Sequence, residues 1–235
     1  CRRIHALLTN PPHPPRMRIL FILLCLVVLP VTAQASPWPR AAGEWFVGST
    51  FGLENSFAGW RHFSEIYGEF GASGQLTMAT QLRLSPGARR ADLMARWHPR
   101  AGTEAPPFGL GAGLRLQPGG SERVHLLLAA HLGHGFDTGF GNVWARMDLQ
   151  LQTRPAQPFS PVELSLAGQL GVRNPGGFIG MLSVTGKRRN GASVLELAPV
   201  IGREIGRRHT LVLGLTASPA APRARSASLS LWSRF

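Results

Sequence analysis

The chain has 235 residues, with 25 lysines and arginines against 12 aspartates and glutamates, for a formal charge of +13. Lys187 is the only lysine, and Lys187-Arg188-Arg189 is the only run of three positive residues. No zinc-ligand spacing, RNA-binding aromatic motif or basic helix accompanies the charge, so it does not mark a nucleic-acid binder. The two cysteines, Cys1 and Cys25, both precede residue 36, which leaves the remaining chain without a disulfide or a thiolate metal site.

Taken from the amino terminus, residues 1–16 are rich in Arg and Pro and read as an upstream extension before a plausible initiator, Met17, or as an unusually long n-region. Met17-Arg18, the apolar run Ile19 to Val31 and Thr-Ala-Gln-Ala35 then have the three parts of a secretory signal peptide, residues 17–35, with cleavage expected after Ala35. The run is shorter than the ~20 residues of a spanning helix. Leu24 before Cys25 stands where a lipoprotein signal needs a small residue. Loss of residues 1–35 removes four arginines and no acid, leaving about +9 on residues 36–235, enough chain for one domain.

Residues 36–235 contain no apolar stretch long enough for a spanning helix, but short alternating segments recur. Glu44 to Leu53 opens the series, with Trp45, Val47, Phe51 and Leu53 on one face, and His62 to Phe70 follows a loop around residues 55–59. Gly71 to Gly74 is a turn, and Gln75 to Leu84 sets Leu76, Met78, Leu82 and Leu84 against Thr77, Gln81 and Arg83. Arg89 to Trp97 comes after Ser85-Pro-Gly87, and the Pro-rich stretch 98–107 connects it to Phe108–Leu116, whose other face is Gly109, Gly111, Gly113 and Arg115. Arg123 to Gly133 alternates as well, and Asn142 to Gln152, after a connection over 134–141, alternates most cleanly. Pro155 to Pro161 reads as a break before Val162–Val172, and Asn174-Pro-Gly-Gly177 is a turn. Phe178–Thr185, Ser193–Gly202 (interrupted by Pro199), Leu211–Ala217 and Ser226–Phe235 complete the set. The count is twelve, within a range of ten to fourteen.

The last segment, Ser226-Ala-Ser-Leu-Ser-Leu-Trp-Ser-Arg-Phe235, resembles the final strand of Gram-negative outer-membrane β-barrels. That resemblance implies that Phe235 is an assembly signal read by the barrel-assembly machinery, and that the compartment is the outer membrane. Only helices and closed barrels satisfy the backbone in lipid. The alternating segments without a spanning helix therefore predict an all-β fold, an antiparallel transmembrane barrel over residues 36–235. A soluble β-sandwich would also alternate, but it would put charge on the face that here carries Leu, Val, Ala and Met. Twelve strands of ~9–11 residues fit the length, and the even number is the rule for bacterial single-chain barrels. Turns after even strands would face the periplasm, and Trp45, Phe70, Trp97, Phe108, Phe140, Phe178 and Phe235 would form an aromatic girdle at that rim. The opposite connections are short and leave no room for a large constricting loop. The surrounding lipids and lipopolysaccharide are the expected partners, the arginine fork being suited to their phosphates.

Trp38-Pro-Arg-Ala-Ala-Gly-Glu-Trp45, with Tyr67-Gly-Glu-Phe-Gly71 and Gln75-Leu-Thr77, is similar to a family of proteobacterial transporter-like barrels that has no assigned chemistry. In that family a Pro-x-Gly-Glu-like opening precedes the first strand and a Tyr-x-Glu-Tyr-Gly hairpin closes the first periplasmic turn. Ala-Ser-Gly here replaces the family's Leu-Thr-Asp. The resemblance covers residues 38–84 and implies location and fold.

Candidate chemistry lies on the inward parity. Arg83, Arg96, Arg115, Arg146, Asp92, Asp148, Glu163 and Glu196 are the lumen-lining candidates, joined by Arg173, Glu65 and Glu69. Such groups line a narrow passage, giving a passive channel or transporter for small polar solutes. Alternatively they lock into a filled barrel with a structural or interaction role. A third reading is a lipid hydrolase using His62 and Ser64, whose spacing matches that of an outer-membrane phospholipase, although Glu65-Ile66 replaces the expected Asn-Gly context. His125 and His131 lie ~20 Å apart along one strand, so no metal site is expected. Gly109 to Gly113 is not followed by a helix, as a dinucleotide loop would be. No cofactor is expected, nor an enzyme.

Overall fold

The computed structural model describes residues 38–56, 59–99, 101, 106–118, 123–189, 191–219 and 221–235. The upstream extension, the signal peptide and its cleavage site at Ala35 lie outside the described residues. Twelve antiparallel strands run in order: β1 Trp45–Ser56, β2 Gly59–Gly71, β3 Leu76–Ser85, β4 Ala88–Trp97, β5 Phe108–Leu116, β6 Val124–Thr138, β7 Gly141–Arg154, β8 Gln157–Arg173, β9 Phe178–Arg189, β10 Ala192–Ile205, β11 His209–Ser218 and β12 Ala221–Arg234. Each pairs with its sequence neighbour, and β12 returns to β1 to close the barrel. Closure runs from Phe46↔Arg234 to Asn55↔Arg225. Beyond that ladder the backbone of Trp45 and that of Phe235 exchange hydrogen bonds of 3.0 Å each way. No unpaired edge is left, as a backbone in lipid requires.

All twelve expected strands are present, several run past their expected ends (β9 to Arg189, β12 from Ala221), and three expected interruptions are bridged by strand. The connection expected over 134–141 is strand: β6 and β7 pair out to Thr138↔Gly141, leaving Gly139 and Phe140 as the turn. Gly141 accepts φ 132°, a conformation open to glycine. The break expected over Pro155–Pro161 is a hairpin, with Arg154 opposite Gln157 and register shifts at Gln152/Thr153 and Thr153/Arg154. A bulge there absorbs prolines that cannot donate to the ladder. Pro199 likewise does not end β10. It pairs with Leu182 of β9, while the ladder to β11 omits Ala198 and Pro199 without losing register.

The two faces are separated residue by residue. Leu127 is 1% exposed in the interior and its neighbour Leu128 is 48% exposed on the outside. Leu82, Leu93, Leu170, Ile201 and Leu213 continue that apolar exterior around the wall. An apolar outer face this continuous is stable only against hydrocarbon. The seven girdle aromatics fall at one end, where the even strands turn and the described chain begins and finishes. Trp45 and Phe70 are in contact there, with ring centroids 4.6 Å apart. This is the inner end of the barrel. No helix among the described residues is long and apolar enough to cross a membrane, a test that does not bear on strands.

Candidate functional site

Several large side chains on the inner face pack against glycines of the wall. Phe63 of β2 lies over Gly52 of β1, where an added Cβ would sit 2.5 Å from its ring. Trp144 of β7 lies over Gly171 of β8, with the equivalent distance 2.2 Å. Both are directly opposed pairs in their ladders. The bare inner face of β5 does the same on a larger scale, with Met94 against Gly111 and the His98 ring against Gly109. Gly109 and Gly111 are thus recesses for neighbouring side chains, while Gly113 lies against the β4 backbone at Leu93 and Met94. The space left open is a cavity of about 1300 Å³ bordered by residues of every strand except β5. That exceeds the roughly 300–1,000 Å³ of ordinary ligand pockets.

The wall of β2–β7 is charged and crosslinked. At the inner end the Glu69 carboxylate, 1% exposed, accepts Arg40 Nε at 2.6 Å and Arg96 Nη1 at 2.7 Å. Tyr67 also donates to it, and Arg96 Nη2 donates to the Tyr67 oxygen at 2.5 Å. Further out, Arg115 grips both oxygens of Asp92 at 2.9 Å and donates to Gln152 Oε1 at 2.6 Å. Asp148 holds His131 Nδ1 at 2.7 Å and Arg146 Nε at 2.9 Å. At the outer end Arg83 bridges Glu54 at 2.5 Å and Glu65 at 3.5 Å. An apolar group of Ala79, Met94, Leu127, Ala129 and Tyr67 fills between these pairs. Facing it, β8–β12 and β1 offer hydroxyls, among them Ser165, Thr216, Ser226, Ser228 and a Thr50–Ser230 pair at 2.8 Å.

Of the eight lumen candidates, Arg83, Asp92, Arg96, Arg146 and Asp148 border the cavity. Arg115 sits behind Asp92, 7% exposed. Glu163 and Glu196 lie on β8 and β10 beyond the cavity lining, Glu196 accepting Lys187 Nζ at 2.7 Å. Arg173 borders the cavity and pairs with Glu204, which also lies 3.6 Å from Arg234. The outward residues His62 and Ser64 are exposed, and no hydrogen bond or ion pair joins them among the described residues. His125 and His131 do share the inner face, but no metal-binding group occurs among the described residues. His98, just past β4, is 2% exposed. Burial, then the nearby Arg96 charge, pushes its pKa down to about 4 from 6.5.

Sequence parity missed the segment 38–44, which is not a strand and crosses the inner mouth. Trp38 packs on Trp144 and Ile179, on the β7–β9 side, together with Met181. Two residues later Arg40 turns to the opposite wall. Its Nε meets Glu69, its backbone N–H donates to Thr77 Oγ1 at 3.1 Å, and its guanidinium lies 4.7 Å from the Phe46 ring centroid. A turn closed by Glu44 N–H to Ala41 carbonyl (3.0 Å), with Gly43 at φ 82°, then leads into β1. Gly71 backs this strap. An added Cβ would lie 1.9 Å from the Ala41 carbonyl oxygen, although the φ of Gly71 is not positive. Glycine is therefore required there by the strap and not by the strand. In sequence the segment shows only as the Trp38–Trp45 opening before β1 and as Gly71, neither of which carries a period that would place it across the mouth.

Solved structures of similar architecture include porins and an outer-membrane channel. The KdgM porin superposes with a TM-score of 0.61 at 6% identity, covering 81% of this chain and 99% of that one. The NanC porin gives 0.59 at 9%, covering 79% and 97%. An outer-membrane channel from Pseudomonas putida F1 gives 0.52 at 11%, covering 87% and 100%. At these identities the likeness is one of fold. A scan of protein-family models and a search of curated proteins give no match. Closed architecture, lipid-facing exterior and polar interior define a porin-like β-barrel of the Gram-negative outer membrane. Within that class it is a twelve-stranded barrel with a strap across its inner mouth.

Proposed function

We propose that the protein is a passive outer-membrane passage for small polar solutes. The observation that carries this reading is the open lumen. Phe63, Trp144, Met94 and His98 fold against glycine recesses, and a cavity of about 1300 Å³ remains between a charged wall and a hydroxyl wall. A barrel built as a solid structural post would direct such side chains inward to fill it, as eight-stranded barrels do. The channel function of the structural neighbours is in keeping with the reading. One neighbour, the KdgM porin, was solved with a disordered oligogalacturonate. In this chain the arginines bordering the cavity are matched by carboxylates, so the solute class we favour is polar without a required charge.

Purified, refolded protein in planar bilayers and in osmotic-swelling liposomes tests the proposal. Discrete conductance steps and swelling in small sugars or amino acids are the expected results. Silence in both assays, for the protein and for variants that loosen its interior, would leave the filled-barrel reading in its place.

A further inference from the structure

The constriction of this passage, if it follows porin habit, should come from a loop folded in from the outer end. The outer connections are too short for that: two residues separate β1 from β2, β3 from β4, β7 from β8, β9 from β10 and β11 from β12, and the sixth, between β5 and β6, has seven. The inner mouth carries the obstruction instead. We propose that the strap of residues 38–44 is the element that sets how wide the passage is and which ions it favours, with Trp38 and Arg40 as the deciding side chains. The proposal rests on the conduit reading above.

Reach supports it. Trp38 and Arg40 are two residues apart, about 7 Å of extended chain, yet their side chains touch opposite sides of the barrel, β7 and β9 on one hand and β2 on the other. The Arg40 and Ala41 backbone lies against β2 and β3, so the span from there to Trp144 and Ile179 is covered by residues 38–39 and the Trp38 side chain, which lie across the mouth. Any solute passing the inner end goes around or past them. The anchors differ in kind. Trp38 is held by an apolar contact with Trp144 and Ile179, whereas Arg40 is held by charge and backbone bonds to Glu69 and Thr77. Arg40 also sets local potential, because Glu69 is shared between it and Arg96. Without Arg40 the same carboxylate has one cationic partner fewer and faces a wider mouth, which favours cations.

The strap can be displaced without changing any lumen group. Gly71→Ala places a methyl group on the Ala41 carbonyl while Trp38, Arg40 and Glu69 stay as they are. Single-channel conductance and reversal potential are measured for the wild type, Gly71→Ala, Trp38→Ala and Arg40→Ala, each first shown to be folded by heat-modifiable gel mobility. Conductance is expected to rise by about twofold or more in all three variants, since pore width governs it. Reversal potential is expected to move toward cations in Arg40→Ala and to stay near wild type in Trp38→Ala. Equal conductance in wild type and all three folded variants would overturn the strap while leaving the conduit. Silence in all four would overturn both. A rise in Arg40→Ala without one in Gly71→Ala would assign the effect to the charge alone and also overturn the strap as the width-setting element.

Discussion

At the scale of single residues, the interior shows how a barrel can hold charge away from bulk water. Asp92 and Arg115 are 10% and 8% exposed at the side chain and meet in a bidentate pair. Such a pair roughly balances its own desolvation, but a lone member does not. Asp92→Asn keeps the shape and removes the counter-charge from Arg115, with Arg90 Nε also only 3.6 Å from Asp92. A loss of about 3 kcal/mol is expected, the low end for a broken buried pair because Asp92 borders a wet cavity. Urea unfolding in lipid or detergent measures it, and an unchanged midpoint would show that the pair is not desolvated. His98 makes the opposite kind of residue-scale prediction. Its folded pKa is depressed to about 4 from 6.5, so the neutral ring is the form that folding favours. Its contribution is whole above pH 6.5 and is lost as pH falls from 6.5 toward 4, where the unfolded state takes up the proton first. The wild type should lose stability across that window by more than His98→Leu does, as read from unfolding midpoints at pH 7.5 and pH 5. Parallel losses in the two proteins would remove His98 as the cause.

The elements divide by what one dimension can record. Residues 142–152 alternate because β7 has lipid on one side and lumen on the other, and that contrast is written into every second residue. Strand number, closure and the girdle followed from it, since each is a consequence of one face meeting hydrocarbon. The hairpin at 139–140 and the passage of the chain through Pro158 and Pro161 did not follow. Turn residues and prolines mark where a ladder is weakened, but the neighbouring strand decides whether it ends. Parity also placed Arg83, Arg96 and Glu163 on the inner face alike, while depth and partners separate them: Arg83 and Arg96 border the cavity and Glu163 does not. The strap had no period at all. Its position is fixed by tertiary contacts of Trp38 and Arg40, which neither the Trp38–Trp45 opening motif nor Gly71 discloses in sequence.

At the scale of the molecule, the question is whether a chain of formal charge +13 makes an anion channel. Net charge acts on a permeating ion only where it is unscreened and near the path, and the path is the cavity. There the arginines are Arg40, Arg83, Arg96, Arg146, Arg173 and Arg234, and the carboxylates are Glu65, Glu69, Asp92, Asp137, Asp148 and Glu204, six against six. Most of these are joined in the ion pairs described above, so little field of either sign extends along the axis. The excess positive charge of the chain lies elsewhere, for example on the exposed outer-end residues Arg61, Arg89, Arg188 and Arg225. Screening decides how to look: the Debye length is about 10 Å at 0.1 M salt but about 3 Å at 1 M, so dilute solutions report the lumen charge most directly. Across a tenfold KCl gradient from 0.1 M to 0.01 M, an ideally selective pore would give a potential of about 59 mV. The wild-type passage is expected to stay within about 15 mV of zero, since balanced rings of charge confer little preference. A strongly anion-selective potential would mean that the rim arginines and not the paired interior govern entry, and that the lumen is not the selective region.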